Sequence, residues 1–282
     1  MENINGKAIY TTKGAAREYG RVGCNFYTGC PHMCKYCYLK RGVTGPTLGG
    51  AEVRLKKCFK DEADAISVFC KEVKKHIDTL EDTGVFFSFT TDPLHDATRD
   101  LTFSALGVLC DLGLSAKVLT KSAGWGARKR ERMMLEDMAS RGDDVQFGWT
   151  LTGCDDMEPY ASRHVDRFYE MRRVKEMGLS TFASIEPVID WDSARMAVEC
   201  SLKYCDHYKI GLRSGVKKDY YNPSESSVAL DEMTKVITDA GKTVYLKESA
   251  RKLLKQYYSP EIYDKILSRT VDMDGNKIKP QM

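Results

Sequence analysis

A chain of 282 residues, 42% hydrophobic and 29% charged, with a formal net charge of +3, has room for one large α/β domain or two smaller ones. The small net charge excludes a strong bulk affinity for polyanions, and no apolar run approaches the length needed to span a bilayer. Ten cysteines in a chain this long lack the density of a secreted disulfide scaffold. The opening Met1-Glu2-Asn3-Ile4-Asn5-Gly6 has no apolar signal region, so the expectation is reduced thiols in a cytoplasmic protein without membrane association.

Short apolar runs alternate with longer amphipathic segments along the chain. Residues 22–27 read as a first strand that delivers a cysteine-bearing loop. Residues 41–58 look irregular, with Gly42, Gly45, Pro46, Gly49 and Gly50. Residues 61–80 read as a helix with Ala65, Val68, Phe69 and Val73 on one face. A second strand over 84–89 ends at Thr90-Thr91-Asp92-Pro93 and is followed by a helix over 98–112. A third strand, 115–119, ends at Thr120-Lys121-Ser122 before a helix over 128–140. A fourth, 145–150, leads to Gly153-Cys154-Asp155-Asp156 and a helix over 160–177. The fifth, 181–185, ends in Glu186-Pro187, with a helix over 191–203 behind it. The sixth, 207–210, precedes Gly211-Leu212-Arg213-Ser214-Gly215 and a helix over 228–240. A last short strand over 244–246 leads into a basic helix with Arg251, Lys252 and Lys255, and Asp274-Gly275 reads as a hairpin turn. Six or seven parallel βα units imply an α/β fold and suit an incomplete (β/α)8 barrel, a partial (β/α)6 TIM-type barrel, over residues 1–256 with a C-terminal extension over 257–282. In barrels the chemistry sits at the C-terminal ends of the strands. Here the polar groups come directly after the apolar runs.

The first of those groups is Cys30-x3-Cys34-x2-Cys37. A thiolate is a soft anionic ligand, and three on one loop suit an iron–sulfur cluster or a zinc ion. Three thiolates leave one iron of a [4Fe-4S] cluster open. A structural zinc would want a fourth ligand, for which His32 and Cys24 are nearest.

The spacing, with Tyr36 before and Tyr38 after the third cysteine, resembles the signature of the radical S-adenosylmethionine (SAM) superfamily. Within it the chain is most similar to spore photoproduct lyase and related phage and bacterial proteins. That resemblance covers roughly residues 20–250 and rests also on Thr91-Asp92-Pro93, Thr120-Lys121-Ser122 and Ile185-Glu186-Pro187. It implies a [4Fe-4S] cluster on Cys30, Cys34 and Cys37 whose open iron chelates SAM. It also implies reductive cleavage of SAM to a 5′-deoxyadenosyl radical that abstracts hydrogen from a substrate, and an electron donor such as flavodoxin or ferredoxin. Tyr36 falls where the family places an aromatic near the adenine, or it simply packs over the cluster. Tyr38 shields the cluster or contacts SAM. Thr91 and Asp92 take the place of the family's Gly-Gly-Glu element, whose carboxylate accepts from the methionyl ammonium; the alternative for Asp92 is a helix cap. Lys121 pairs with SAM's carboxylate or ribose, or is a solvated lysine. Thr150 and Thr152 resemble the ribose-contacting serine, or are ordinary strand residues. Glu186 binds substrate or ribose, or forms a buried pair with a cation. Arg213 is a partner for a carboxylate or phosphate.

One departure concerns the cysteine hydrogen donor of the lyase branch, whose position falls close to Phe89. A phenyl ring cannot donate in that way. Cys154 is the nearest substitute, either quenching a product radical or standing as a reduced loop cysteine. Cys200 and Cys205 read as core packing. Arg128-Lys129-Arg130-x-Arg132 and Arg172-Arg173 are either charged helix faces or the basic rim of an enzyme acting on nucleic acid or nucleotide. The expected function is thus a radical SAM enzyme. The competing one is a zinc- or iron–sulfur-binding protein that binds nucleic acid or a partner without catalysis.

Overall fold

The computed structural model describes residues 2–42, 45–217 and 219–278. The chain forms two compact units: Met1–Trp149 with Asp156–Ser180, and Thr150–Asp155 with Thr181–Met282. Among the described residues no helix is long and apolar enough to cross a membrane.

The first unit opens with β1 (Ile9–Thr11), antiparallel to β2 (Val22–Cys24) with Ile9 opposite Cys24. The sequence pattern does not announce β1. Its hold on the unit comes from Glu72, far along the chain, whose carboxylate accepts from the backbone N–H groups of Lys7 (2.7 Å), Ala8 (3.0 Å) and Ile9 (3.0 Å). Three charge-assisted bonds on one carboxylate make Glu72→Ala costly: a loss of about 1–3 kcal/mol of local stability is expected, read as faster amide exchange over Lys7–Ile9.

The expected first strand breaks at Asn25. Beyond it β3 (Tyr27–Thr28) pairs antiparallel with β4 (Arg54–Leu55), with α1 (Gly45–Leu48) between them. The expected helix over 61–80 splits at His76, which ends α2 (Glu62–Lys75) and starts α3 (Ile77–Thr83). Asp61 caps α2 by accepting from Asp64 N. Parallel strands then alternate with helices: β5 (Val85–Phe87), α4 (Arg99–Asp111), β6 (Ala116–Thr120), α5 (Lys129–Arg141), β7 (Val145–Thr150) and α6 (His164–Glu176). The parallel order is β2-β5-β6-β7. Phe26, Phe69 and Phe87 fill one side of the core with centroids 5.6–6.5 Å apart. Trp125 and Trp149 stack at 6.2 Å, and both indole N–H groups donate to Ser122 O at 3.2 Å. Two buried indoles thereby fix the turn after β6.

The second unit contains β8 (Ser180–Val188), α7 (Trp191–Ser201), β9 (His207–Leu212), α8 (Pro223–Asp239), β10 (Thr243–Leu246), α9 (Glu248–Tyr257) and α10 (Pro260–Leu267). Its strands are parallel in the order β8-β9-β10. Asp190 caps α7 through Ser193 N. Asn222 caps α8, with Pro223 in its first turn. The strand–helix alternation and the α/β class are those expected from sequence. Asp274-Gly275 lies in a turn closed by pairing of Val271 with Lys277.

Candidate functional site

The cysteine loop leaves the β3–β4 ribbon at Gly29. That residue has φ 80°, and a Cβ there would lie 2.0 Å from Glu52 O. Only glycine turns the chain in this space. Cys30 N donates to Gly50 O at 2.8 Å, Lys35 N to Met157 O at 2.9 Å, and Cys37 N to Cys34 O at 3.2 Å. Lys40 folds its ammonium back on the loop, donating to Met33 O (2.9 Å) and Cys34 O (3.2 Å). Cys34 is buried, Cys30 and Cys37 are partly so, and none is in a disulfide. Burial, with Asp92 adding to it, pushes the Cys30 thiol up to about 12. Burial also raises Cys34, against the pull of Lys121. Any metal loading would therefore release protons here. Among the described residues no three His, Cys, Asp or Glu side chains converge on a point fit for a single metal ion. A cluster takes each thiolate on its own iron and so asks for a wider spacing.

Asp92 sits at the centre of the loop after β5. Its Oδ1 accepts from Leu94 N (2.9 Å), Thr120 Oγ1 (2.7 Å) and Ser122 Oγ (3.3 Å). Its Oδ2 accepts from Lys121 N (2.6 Å) and faces His32 Nε2 at 3.0 Å. Burial alone would push this carboxyl up; His32 and the hydrogen bonds hold it well below the usual carboxylate range. His32 in turn places Nδ1 3.1 Å from Tyr160 O. The carboxylate thus ties the cysteine loop to the turn after β6, with both oxygens engaged by the protein. Thr91 is different: its hydroxyl is enclosed with no hydrogen-bond partner among the described residues.

A second buried network runs under Tyr36. Its hydroxyl donates to Glu158 Oε1, and Glu158 Oε2 lies 2.6 Å from Arg167 Nη1, with both carboxylate and guanidinium fully buried. Arg167 Nε donates to Ser162 O at 2.8 Å, and His164 stands 3.6 Å from the same carboxylate. Burial opposes the charge on Glu158, yet Arg167, Lys121 and His164 together lower its pKa. Lys121 Nζ is 5.7 Å from the centre of the Tyr36 ring. Burial disfavours its charge, but Cys34 and Glu158 more than offset this and raise its pKa. Tyr38, more exposed, donates its hydroxyl to Phe89 O.

The first unit therefore brings Cys30, Cys34, Cys37, Tyr36, Tyr38, Thr91, Asp92 and Lys121 to the region around the C-terminal ends of β5 and β6. In the second unit Thr150 and Thr152 are buried and flank Leu151, whose N–H donates to Ser184 O at 2.9 Å. Cys154 directs its S–H at Asp190 Oδ2, 3.2 Å away, the carboxylate that caps α7. Glu186 makes an ion pair: Lys247, 2% exposed, donates to its Oε2 at 2.5 Å. The arginines of the basic patches pair with nearby acids. Arg128 pairs with Asp96, Arg130 with Asp100, Arg132 with Glu136, Arg172 with Glu176 and Arg173 with Glu170. Sequence reasoning missed Glu158, Arg167 and the clamp on His32. The signal available was a His inside the cysteine motif and a carboxylate shortly past an expected strand-end cluster.

No family model matches the chain, and no curated protein matches it. Solved structures do. A mutant spore photoproduct lyase with bound AdoMet and dinucleoside spore photoproduct superposes with a TM-score of 0.58 at 15% identity, over 84% of this chain and 78% of the other. Streptococcus suis SuiB bound to S-adenosylmethionine gives 0.55 at 12% identity over 84% of this chain. SuiB bound to its precursor peptide SuiA gives 0.51 at 12% identity over 82%. This chain spans about half of SuiB, 53% and 50% in the two cases. At such identities the likeness is one of fold: this chain has the fold of the radical SAM enzymes.

Proposed function

We propose that the protein is a radical SAM enzyme in which Cys30, Cys34 and Cys37 hold a [4Fe-4S] cluster and SAM binds beside it. The observation that carries this is the C-x3-C-x2-C loop directly after β3, in a fold shared with enzymes crystallised with SAM. The donor set fits the group: three thiols on one anchored loop, close enough to Lys121 for its charge to act on Cys30 and Cys34. When bound, the cluster would supply one electron, drawn from a donor such as flavodoxin or ferredoxin, for breaking SAM's S–C5′ bond to methionine and a 5′-deoxyadenosyl radical that abstracts hydrogen. The chain's own part is positioning. Lys121 offers a cation to SAM's carboxylate, and the Thr91 hydroxyl, enclosed without a partner among the described residues, offers one hydrogen bond. Tyr36 and Tyr38 cover the loop, with Tyr36 locked by Glu158. Asp92 fixes the geometry of the loop and of Lys121 through its bonds to His32 and Lys121 N.

Anaerobic reconstitution with iron and sulfide, followed by dithionite and SAM, tests the reading. Release of 5′-deoxyadenosine, lost in each of Cys30→Ala, Cys34→Ala and Cys37→Ala, is the expected result. A colourless protein that binds one zinc and is inert to SAM would sink it in favour of a non-catalytic metal-binding role. The same release, screened across nucleotides, DNA, RNA and peptides, identifies the substrate class. With that substrate in hand, Cys154→Ala is expected to leave deuterium return from labelled 5′-deoxyadenosine unchanged, because the thiol hydrogen is engaged by Asp190. Loss of label return in that variant would establish Cys154 as the hydrogen donor.

A further inference from the structure

The second unit holds an arginine with no acid beside it. Arg213 comes directly after β9, and its guanidinium has no carboxylate partner among the described residues. Its Nε is enclosed and without a hydrogen bond. Arg99, Arg128, Arg141, Arg163, Arg167 and Arg195, by contrast, each sit on a carboxylate, although Arg195 too has an enclosed Nε without a hydrogen bond. An enclosed guanidinium donor left unsatisfied costs free energy unless something supplies the acceptor.

The side chain is held in place. Its guanidinium carbon lies 5.8 Å from the centre of the Tyr220 ring. The Tyr220 hydroxyl donates to Ile189 O at 2.9 Å. The neighbouring Tyr221 hydroxyl accepts from Arg213 N at 2.7 Å and donates to Val188 O at 2.6 Å. The two rings meet edge-on at 4.8 Å. This pair of tyrosines staples the segment after β9 to the end of β8, with Leu212 in register with Val188. Next to it, Lys247 spends its charge on Glu186. Gly211 is what admits that pair, since a Cβ there would stand 2.9 Å from Glu186 and from Lys247. The acid at this strand end is therefore already neutralised, and the positive charge of Arg213 is left over.

We infer that Arg213, beside Tyr220, is a binding site for an oxyanion, a carboxylate or phosphate group of a bound small molecule. The two terminal Nη groups of a guanidinium present paired donors that match either group bidentately. The Tyr220 ring, 5.8 Å from the guanidinium carbon, restrains the side chain and so lowers the ordering cost of binding. The inference stands on the second unit alone and does not depend on the radical SAM reading.

Binding of inorganic phosphate and of glutarate to the iron-free full chain tests it by ligand-observed NMR. The expected result is saturable binding of at least one probe, weakened roughly tenfold or more in Arg213→Gln. Arg213→Lys separates the two sources: it is expected to retain much of the affinity for phosphate, which accepts a point charge, and to lose that for a carboxylate. Wild-type protein that binds neither probe overturns the proposal. So does unchanged affinity in Arg213→Gln or, should that variant fail to fold, unchanged affinity for both probes in Arg213→Lys. Because the measurement uses no iron and no SAM, Arg213-dependent binding in a protein that never releases 5′-deoxyadenosine would refute only the enzymatic reading.

Discussion

Arg167→Met is expected to destabilise the protein by about 3–5 kcal/mol, because it strands a carboxylate that has no exposure to water. Glu158 and Arg167 are both fully buried and 2.6 Å apart. Two charges in such a place stabilise the fold only as a pair; removing one leaves the other to bear its desolvation alone. Lys121 and His164 act on the same carboxylate but do not replace a guanidinium in contact. The thermal midpoint is expected to fall by roughly 10 °C, and iron loading is expected to fall with it, since Tyr36 between the last two cysteines hangs on Glu158. The double variant Glu158→Gln/Arg167→Met separates charge from shape. It keeps an acceptor for Tyr36 and removes both ions, so most of the stability and of the iron should return. A single variant within about 0.5 kcal/mol of wild type would mean that the pair does not support the loop.

That network also shows where sequence reasoning ends. The strands after residue 80 are legible because each is a short apolar run followed by polar residues, and the cysteine spacing is local. Glu158 meets Tyr36 across 122 positions of sequence, and Tyr160 meets His32 across 128. Nothing in the spacing of either segment encodes that contact; only the parallel stacking of β2, β5, β6 and β7 creates it. The short elements are hidden for another reason. β1 and β3 have three and two residues, too few to show a period, and β1 is held by Glu72 from a helix. For Glu186 the sequence leaves both alternatives open. The cation that Glu186 meets, Lys247, lies 61 positions on, at the end of a strand two away in the sheet.

Asp92→Asn is the change that decides what the carboxylate after β5 is for. If its task were to accept from a bound ammonium, the isosteric amide would weaken SAM binding and leave the apoprotein and its iron content alone. The hydrogen bonds predict another outcome. One oxygen takes three donors and the other takes Lys121 N and His32, so an amide NH2 must point a donor at donors already in place. The expected cost is about 2–4 kcal/mol in the apoprotein, seen as a lower thermal midpoint before any iron is added. The wild-type carboxyl is held below its ordinary range, against its burial, by His32 and these bonds. Its contribution is therefore complete above the unfolded carboxylate pKa and fades as the pH falls below it, and Asp92→Asn should lose that acid dependence along with the stability. His32→Ala should share the loss, and the double variant should cost less than the sum, because both residues act through one contact. Reduced iron loading in all three variants would place Asp92 and His32 together as the clamp that presents the cysteine loop. A SAM-affinity defect in Asp92→Asn, with midpoint and iron content intact, would return the carboxylate to the ligand.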